Sequence, residues 1–268
     1  MRTVLAALDA SAAARPVLEA AFRIAELTGA DVDAVHVTDG RTDLPGWLAG
    51  HKGVQLRVLD GAVEPALLRA IGDESVIAAV FGARSTPGGR RPVGRTAMQV
   101  LRQTTKPIVV VPPDAVGLAA SPIHTLLVPL EGNRETSRPV LEHLCPLIVG
   151  DVELVVLHVF TSATAPRALD RAEQDLSLWG DEFVARFCPG ATRIELRTGP
   201  VGARVAEVSA EEAVDLVVLS WSRDSSPGHA AVIRTVLGAS TVPVLLLPID
   251  GAVGPIDLAA PSISGRQR

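Results

Sequence analysis

The sequence predicts an α/β protein made of two tandem units, each a doubly wound, five-stranded parallel sheet. Three observations carry this. Short, nearly continuous aliphatic runs alternate with helical segments, as parallel strands covered on both faces do. The alternation occurs twice in the same order. The 268 residues also suit two units of about 120–130 residues better than one.

The elements match in order. Thr3–Asp9 (TVLAALD) and Thr125–Glu131 (TLLVPLE) are apolar strands ending in an acid, Asp9 or Glu131. Each acid is followed by a small residue, polar residues and a Pro-led helix, at Pro16-Val17-Leu18-Glu19 and Pro139-Val140-Leu141-Glu142. The second strands, Asp31–Val37 and Val152–Val159, both end in His-Val. The spacing from the first strand is unchanged, since 158 − 36 = 122 and 131 − 9 = 122. Third strands at Val54–Leu59 and Thr192–Arg197 lead to Gly61 and to Gly199-Pro200, where the chain must turn tightly into a helix. Fourth strands at Ser75–Phe81 and Asp215–Ser220 run into irregular loops at 82–94 and 221–230. Helices follow near Thr96–Gln103 and Ala231–Ala239. Fifth strands lie in Lys106–Pro113 and Val242–Pro248, each framed by prolines. This places one domain at 1–116, a second at 121–252 and a frayed tail at 253–268.

Aromatics are 3% of the chain and Tyr is absent, so the core must be built from Val, Leu, Ile and Ala. A net charge of −5 argues against a general nucleic-acid binder, which needs a basic face. Cys145 and Cys188 show no CxxC spacing and read as two partly buried thiols in a reducing cytosol. The chain enters a strand at once, without a signal-type segment, and no apolar run approaches the roughly 18–20 residues of a membrane helix. The expectation is a cytoplasmic protein with no membrane partner.

The ordered set Asp9, His36-Val37, Gly61, a Gly-containing loop from Gly82, and Pro107–Pro112, seen again as Glu131, His158-Val159, Gly199-Pro200, Ser220 and Pro243–Pro248, resembles the universal stress protein family across roughly residues 2–250. The resemblance implies two flavodoxin-like (Rossmann-like, adenine nucleotide alpha hydrolase-like) domains. It implies that the fifth strands meet, 108–111 against 244–247, in an intramolecular pseudo-dimer or a homodimer. In some members it implies an ATP site, with Mg²⁺ accompanying ATP, marked by G-x-x-G, about nine residues, then G-[S/T]. Carried over residue by residue, that pocket would use Asp9, Val37, Gly82, Ala83, Ser85, Gly94, Arg95 and Thr96. The departures are specific. Ser85 stands at the second Gly, Gly94 comes one residue early, and Arg95 precedes Thr96. In the second copy Ser220 replaces the first Gly, Trp221-Ser222-Arg223 follows, Ile233 and Arg234 precede Thr235, and Glu131 replaces Asp. No ATP site is expected there.

Plainer readings stand beside these. Asp9 either contacts a nucleotide or caps the turn after its strand. Glu131 reads as a turn or interface residue, and His36 and His158 as packed, hydrogen-bonded side chains. His51, His124, His143 and His229 form no ligand spacing, so no metal site is signalled. Arg84, Arg90, Arg91 and Arg95 crowd a loop that opens a helix, either a solvated loop or a contact for phosphate or for an acidic partner. Trp47 lies in the apolar insertion Asp43–Leu48 and reads as a small lid or a packing residue. Trp179 shares a helical stripe with Leu176 and Phe183. Trp221, in the degenerate loop, would fill the space a nucleotide takes. No G-x-S-x-G elbow, no P-loop and no G-x-G-x-x-G after the first strand is present. The sequence therefore points to a binding or regulatory protein with an adenine nucleotide in its first half, at most a weak ATP hydrolase. The rival is a nucleotide-free scaffold acting through protein contacts.

Overall fold

The computed structural model describes residues 1–11, 14–38, 54–83, 94–112, 115, 121–161, 173–222 and 229–249. Trp47 with its insertion, His51, Arg84, Ser85, Arg90, Arg91, Arg223 and the tail lie outside these residues. The first half runs β1 (Thr3–Leu8), α1 (Ala14–Thr28), β2 (Asp31–Thr38), β3 (Gln55–Asp60), α2 (Val63–Ile71), β4 (Val76–Gly82), α3 (Arg95–Gln103) and β5 (Ile108–Val111). The second runs β6 (Thr125–Pro129), α4 (Arg134–Leu144), β7 (Glu153–Phe160), α5 (Glu173–Phe187), β8 (Arg193–Thr198), α6 (Val201–Glu211), β9 (Leu216–Trp221), α7 (His229–Ala239) and β10 (Val244–Pro248).

All ten strands form one sheet, in the order β3-β2-β1-β4-β5-β10-β9-β6-β7-β8. Within each half neighbouring strands are parallel, in the Rossmann-like order 3-2-1-4-5. The halves join through β5 and β10, which pair antiparallel with Ile108 opposite Leu246, Val109 opposite Leu245 and Val110 opposite Val244. The proline-framed fifth strands align Ile108 with Val244 (244 − 108 = 136) and Val110 with Leu246 (246 − 110 = 136). The register thus pairs each residue with its counterpart's partner about Val109 and Leu245. That is an approximate twofold axis perpendicular to the sheet. A bare, flat aliphatic edge would invite pairing with other chains; here both fifth strands are fully buried.

Such an axis keeps the two faces of the sheet distinct, and the core shows this. One cluster gathers α1, α4 and α5 through Leu18, Ile24, Leu144 and Phe183, and the other gathers α2, α3, α6 and α7 through Leu67, Leu101, Val205 and Val236. Polar ties also cross between halves. The Arg23 guanidinium on α1 lies 2.6 Å from Asp215 and donates to the Pro122 carbonyl at 3.0 Å. The second Asp215 oxygen accepts from the backbone N–H of His124 and Thr125. At the outer edge, β8 carries Arg193 and Arg197, paired with Glu153, Glu195, Glu211 and Glu212. Charge of this kind discourages further strand addition.

Three expectations need correction. The α4 helix starts at Arg134, so Pro139 sits inside it rather than leading it. Asn133 opens it, its carbonyl taking the Ser137 N–H and the Thr136 hydroxyl. Proline at a first turn is the usual signal, and here it misplaced the start. Cys145 is exposed and Cys188 buried, rather than both being partly buried. Trp221 is no loop residue. It is the last residue of β9, and it is buried.

Candidate functional site

In a doubly wound sheet, ligand crevices open where the strand order reverses, outside the carboxyl ends of the strands. In the first half the chain leaves β1 toward β2 on one side, while β4 lies on the other. A cavity of about 360 Å³ opens at that point. The end of β1 leads to Leu8 and Asp9, β2 supplies His36 and Val37, and β4 supplies Phe81 and Gly82, with Ala83 just beyond it. The first turn of α3 closes the far side with Gly94, Arg95, Thr96 and Ala97. The structure therefore gathers Asp9, Val37, Gly82, Ala83, Gly94, Arg95 and Thr96 around one cavity; Ser85 lies outside the described residues.

The entry into α3 is fixed by its backbone. Gly94 is extended, offers no side-chain cap, and donates its N–H to the Ala83 carbonyl at 2.6 Å. The first N–H to reach back within the helix is Met98 to Gly94. The N–H groups of Arg95, Thr96 and Ala97 precede it, at the positive end of the helix dipole and in the cavity wall. That arrangement suits an anion. Arg95 is exposed and adds a full charge.

Asp9 follows the capping reading. One carboxylate oxygen accepts the Ser11 N–H at 2.9 Å and the Ser11 hydroxyl at 2.5 Å. The same group stands in the cavity wall. His36 is packed, with Nδ1 donating to the Leu8 carbonyl at 3.0 Å. That bond puts a proton on Nδ1, and Nε2 is buried with no hydrogen-bond partner among the described residues. The sequence reading missed the apolar wall made by Ala14 and Val17 of α1, Val63 and Leu67 of α2, and Phe81. The only signal for it was position, in the first turns of helices that follow strand ends.

The second half keeps the scaffold with different residues at the corresponding strand ends. His158 Nδ1 bonds to the Leu130 carbonyl at 3.0 Å, and the offset 130 − 8 = 122 matches 158 − 36 = 122. Ser220 pairs with Leu247 as Gly82 pairs with Val111, which places Trp221 where Ala83 stands. Beside Glu131, the α5 rings close in. Phe183 and Trp179 lie 4.8 and 5.1 Å from the His158 ring, centroid to centroid, with Phe160 at 4.7 Å. A Cβ added at Gly132, where φ is +77°, would lie 2.9 Å from Phe183. Burial among these rings pulls the His158 pKa below its ordinary value, the Leu130 hydrogen bond opposing it. Trp221 points elsewhere, its indole N–H donating to the Leu101 carbonyl of the first half at 3.0 Å. Among the described residues no cluster of three or more His, Cys, Asp or Glu could hold a metal, and no helix is long and apolar enough to cross a membrane.

With this geometry in view, the family profile that matches the chain is that of the universal stress protein family, over residues 122–248. Residues 122–248 thus match a universal stress protein domain in sequence. The first half repeats that domain's strand order about the twofold axis. Solved structures resemble both halves together. A universal stress protein from Archaeoglobus fulgidus DSM 4304 superposes with a TM-score of 0.60 at 15% identity, covering 92% of this chain and 96% of that one. A functionally unknown protein from Pseudomonas aeruginosa PAO1 gives 0.65 at 13% identity, covering 93% of each. At these identities the likeness concerns the tandem universal stress protein fold. No curated protein matches the chain in sequence.

Proposed function

We propose that the protein is a binding or regulatory member of the universal stress protein type, and that its first half holds an adenine nucleotide. The observation that supports this most is the cavity itself. It lies at the switch point, carries an apolar slot between Val37, Leu67 and Phe81, and ends on the uncapped first turn of α3 with Arg95 beside it. An apolar slot suits a base and the α3 amides suit phosphates. About 360 Å³ falls within the usual range for small-ligand sites. ATP would enter with Mg²⁺, which would offset phosphate charge. The residues at hand bind and orient; none of them forms a base or nucleophile pair suited to fast hydrolysis.

Calorimetric titration with ATP, with and without Mg²⁺, tests the reading. Binding is expected in the wild-type chain. Gly82→Trp fills the cavity mouth and should weaken binding by more than about tenfold. No heat at millimolar nucleotide would sink the proposal. A second reading, a nucleotide-free scaffold, is favoured by the Asp9 carboxylate being engaged with Ser11. Capture of a partner protein that survives Gly82→Trp would select it.

A further inference from the structure

The two halves are not equal where they meet. Trp221 and Ala83 occupy the same place in their sheets, one residue beyond the strand pairs Ser220–Leu247 and Gly82–Val111. Ala83 is too small to reach across the dyad. Trp221 does reach, and its target is the Leu101 carbonyl near the end of α3. The last carbonyls of a helix have no donor within it, so each needs an outside partner. Thr104 serves Val100, and Trp221 serves Leu101. Trp221 is 3% exposed and Leu101 1%, so no water can replace the indole, and the bond is correspondingly costly to lose.

The helix held this way has its other end in the first-half cavity. Nine residues of α3 span only about 14 Å, and one continuous helix carries both the Trp221 contact and the turn that follows Gly94. Among the described residues, the other side-chain tether to a neighbouring helix near its C-terminus, Gln103 to Glu64 on α2, is exposed and so worth little. We propose that Trp221, a residue of the second half, is a positioning residue for the first-half site: by holding the rear of α3 it sets where the front turn presents its amides to the phosphates of a nucleotide. This inference rests on the nucleotide reading of that cavity. It also gives the altered second half a task, since the bulky residue that departs from the small one of the first half serves its partner's site.

The test uses the full chain and the variant Trp221→Phe, which keeps a ring and removes the donor. ATP and adenosine are titrated calorimetrically against both proteins, and amide exchange along α3 and α7 is followed without ligand. ATP affinity is expected to fall about fivefold, adenosine affinity to stay within about twofold, and exchange to quicken over Met98–Gln103 but not in α7. Trp221→His, which restores a ring N–H, should recover part of the ATP affinity. Equal losses for ATP and adenosine would mark a general structural effect and overturn the proposal, as would unchanged ATP affinity with unchanged α3 exchange. Should the wild type bind neither ligand, the nucleotide reading falls, and α3 exchange decides alone: faster exchange keeps the tether and unchanged exchange removes it. The wild-type Trp221 indole N–H resonance gives a readout free of any variant. ATP is expected to shift it and adenosine to leave it in place; an indole that ATP leaves unshifted overturns the proposal.

Discussion

At Gly61 and Gly199 the backbone takes φ of +115° and +120°, values that L-residues rarely adopt. A Cβ at Gly61 would meet nothing within 4 Å, so Gly61→Ala tests backbone strain alone. It should cost about 1–3 kcal/mol in urea unfolding, whereas Gly94→Ala, at φ −65°, should be tolerated. Two titrating residues each give an acid-side loss of stability, in separate pH windows. Burial lowers the His158 pKa from 6.5, against the Leu130 hydrogen bond. The folded state then holds the proton less tightly than the unfolded one, so this stability is full above 6.5 and is lost as pH falls through the folded value. His158→Gln should flatten the melting-temperature slope that begins just below pH 6.5. Burial would raise the Asp215 pKa, but the His124 and Thr125 N–H groups and Arg23 outweigh it and hold it below 3.8. That contribution is present above 3.8 and disappears as pH falls through the lower folded value. Asp215→Asn should therefore destabilise the protein at neutral pH and remove this acid-side loss.

Among the elements, α5 sets what packs beside the strand ends of the second half. Its Trp179 and Phe183 stack against His158, Trp179 also against Phe160, and Phe187 packs on Phe183, supplying rings to a chain poor in aromatics. Phe183 is 3% exposed, and Phe183→Ala should cost about 3–5 kcal/mol by denaturant unfolding. A smaller loss would mean that the rings merely cover the surface. The face formed by Leu176, Trp179 and Phe183 was legible from its helical spacing, though Phe187 was not read as part of it. The target of that face was not legible, because periodicity shows which residues share a side and not which strand end they meet. The α4 start shows the same limit: Pro139 marked a helix correctly, but Asn133, the residue that opens it, looked like loop.

For the whole molecule, the dyad at Val109 and Leu245 turns two five-stranded units into one ten-stranded sheet. The central strands and the clusters on both faces are shared, so unfolding should be a single calorimetric transition; two separated transitions would show that the halves are independent. The Arg23–Asp215 pair adds a polar lock across the join, with Arg23 8% exposed. A double-mutant cycle with Arg23→Ala and Asp215→Asn should give a coupling of about 1–3 kcal/mol, and near-zero coupling would place the lock's worth in the backbone contacts alone.

The family resemblance supplied part of the set of residues now found around the first cavity; the sequence by itself determined the strand–helix alternation, its duplication and the tight turns at Gly61 and Gly199. Those features rest on local chemistry: aliphatic period, backbone freedom at glycine, and the order in which strand ends must follow one another. Only the tertiary structure decided that Asp9 caps Ser11, that Arg23 meets Asp215 at a separation of 192 residues, and that Trp221 turns from its own half toward Leu101. Such contacts depend on which surfaces a sheet and its dyad bring face to face, and no spacing along the chain encodes that.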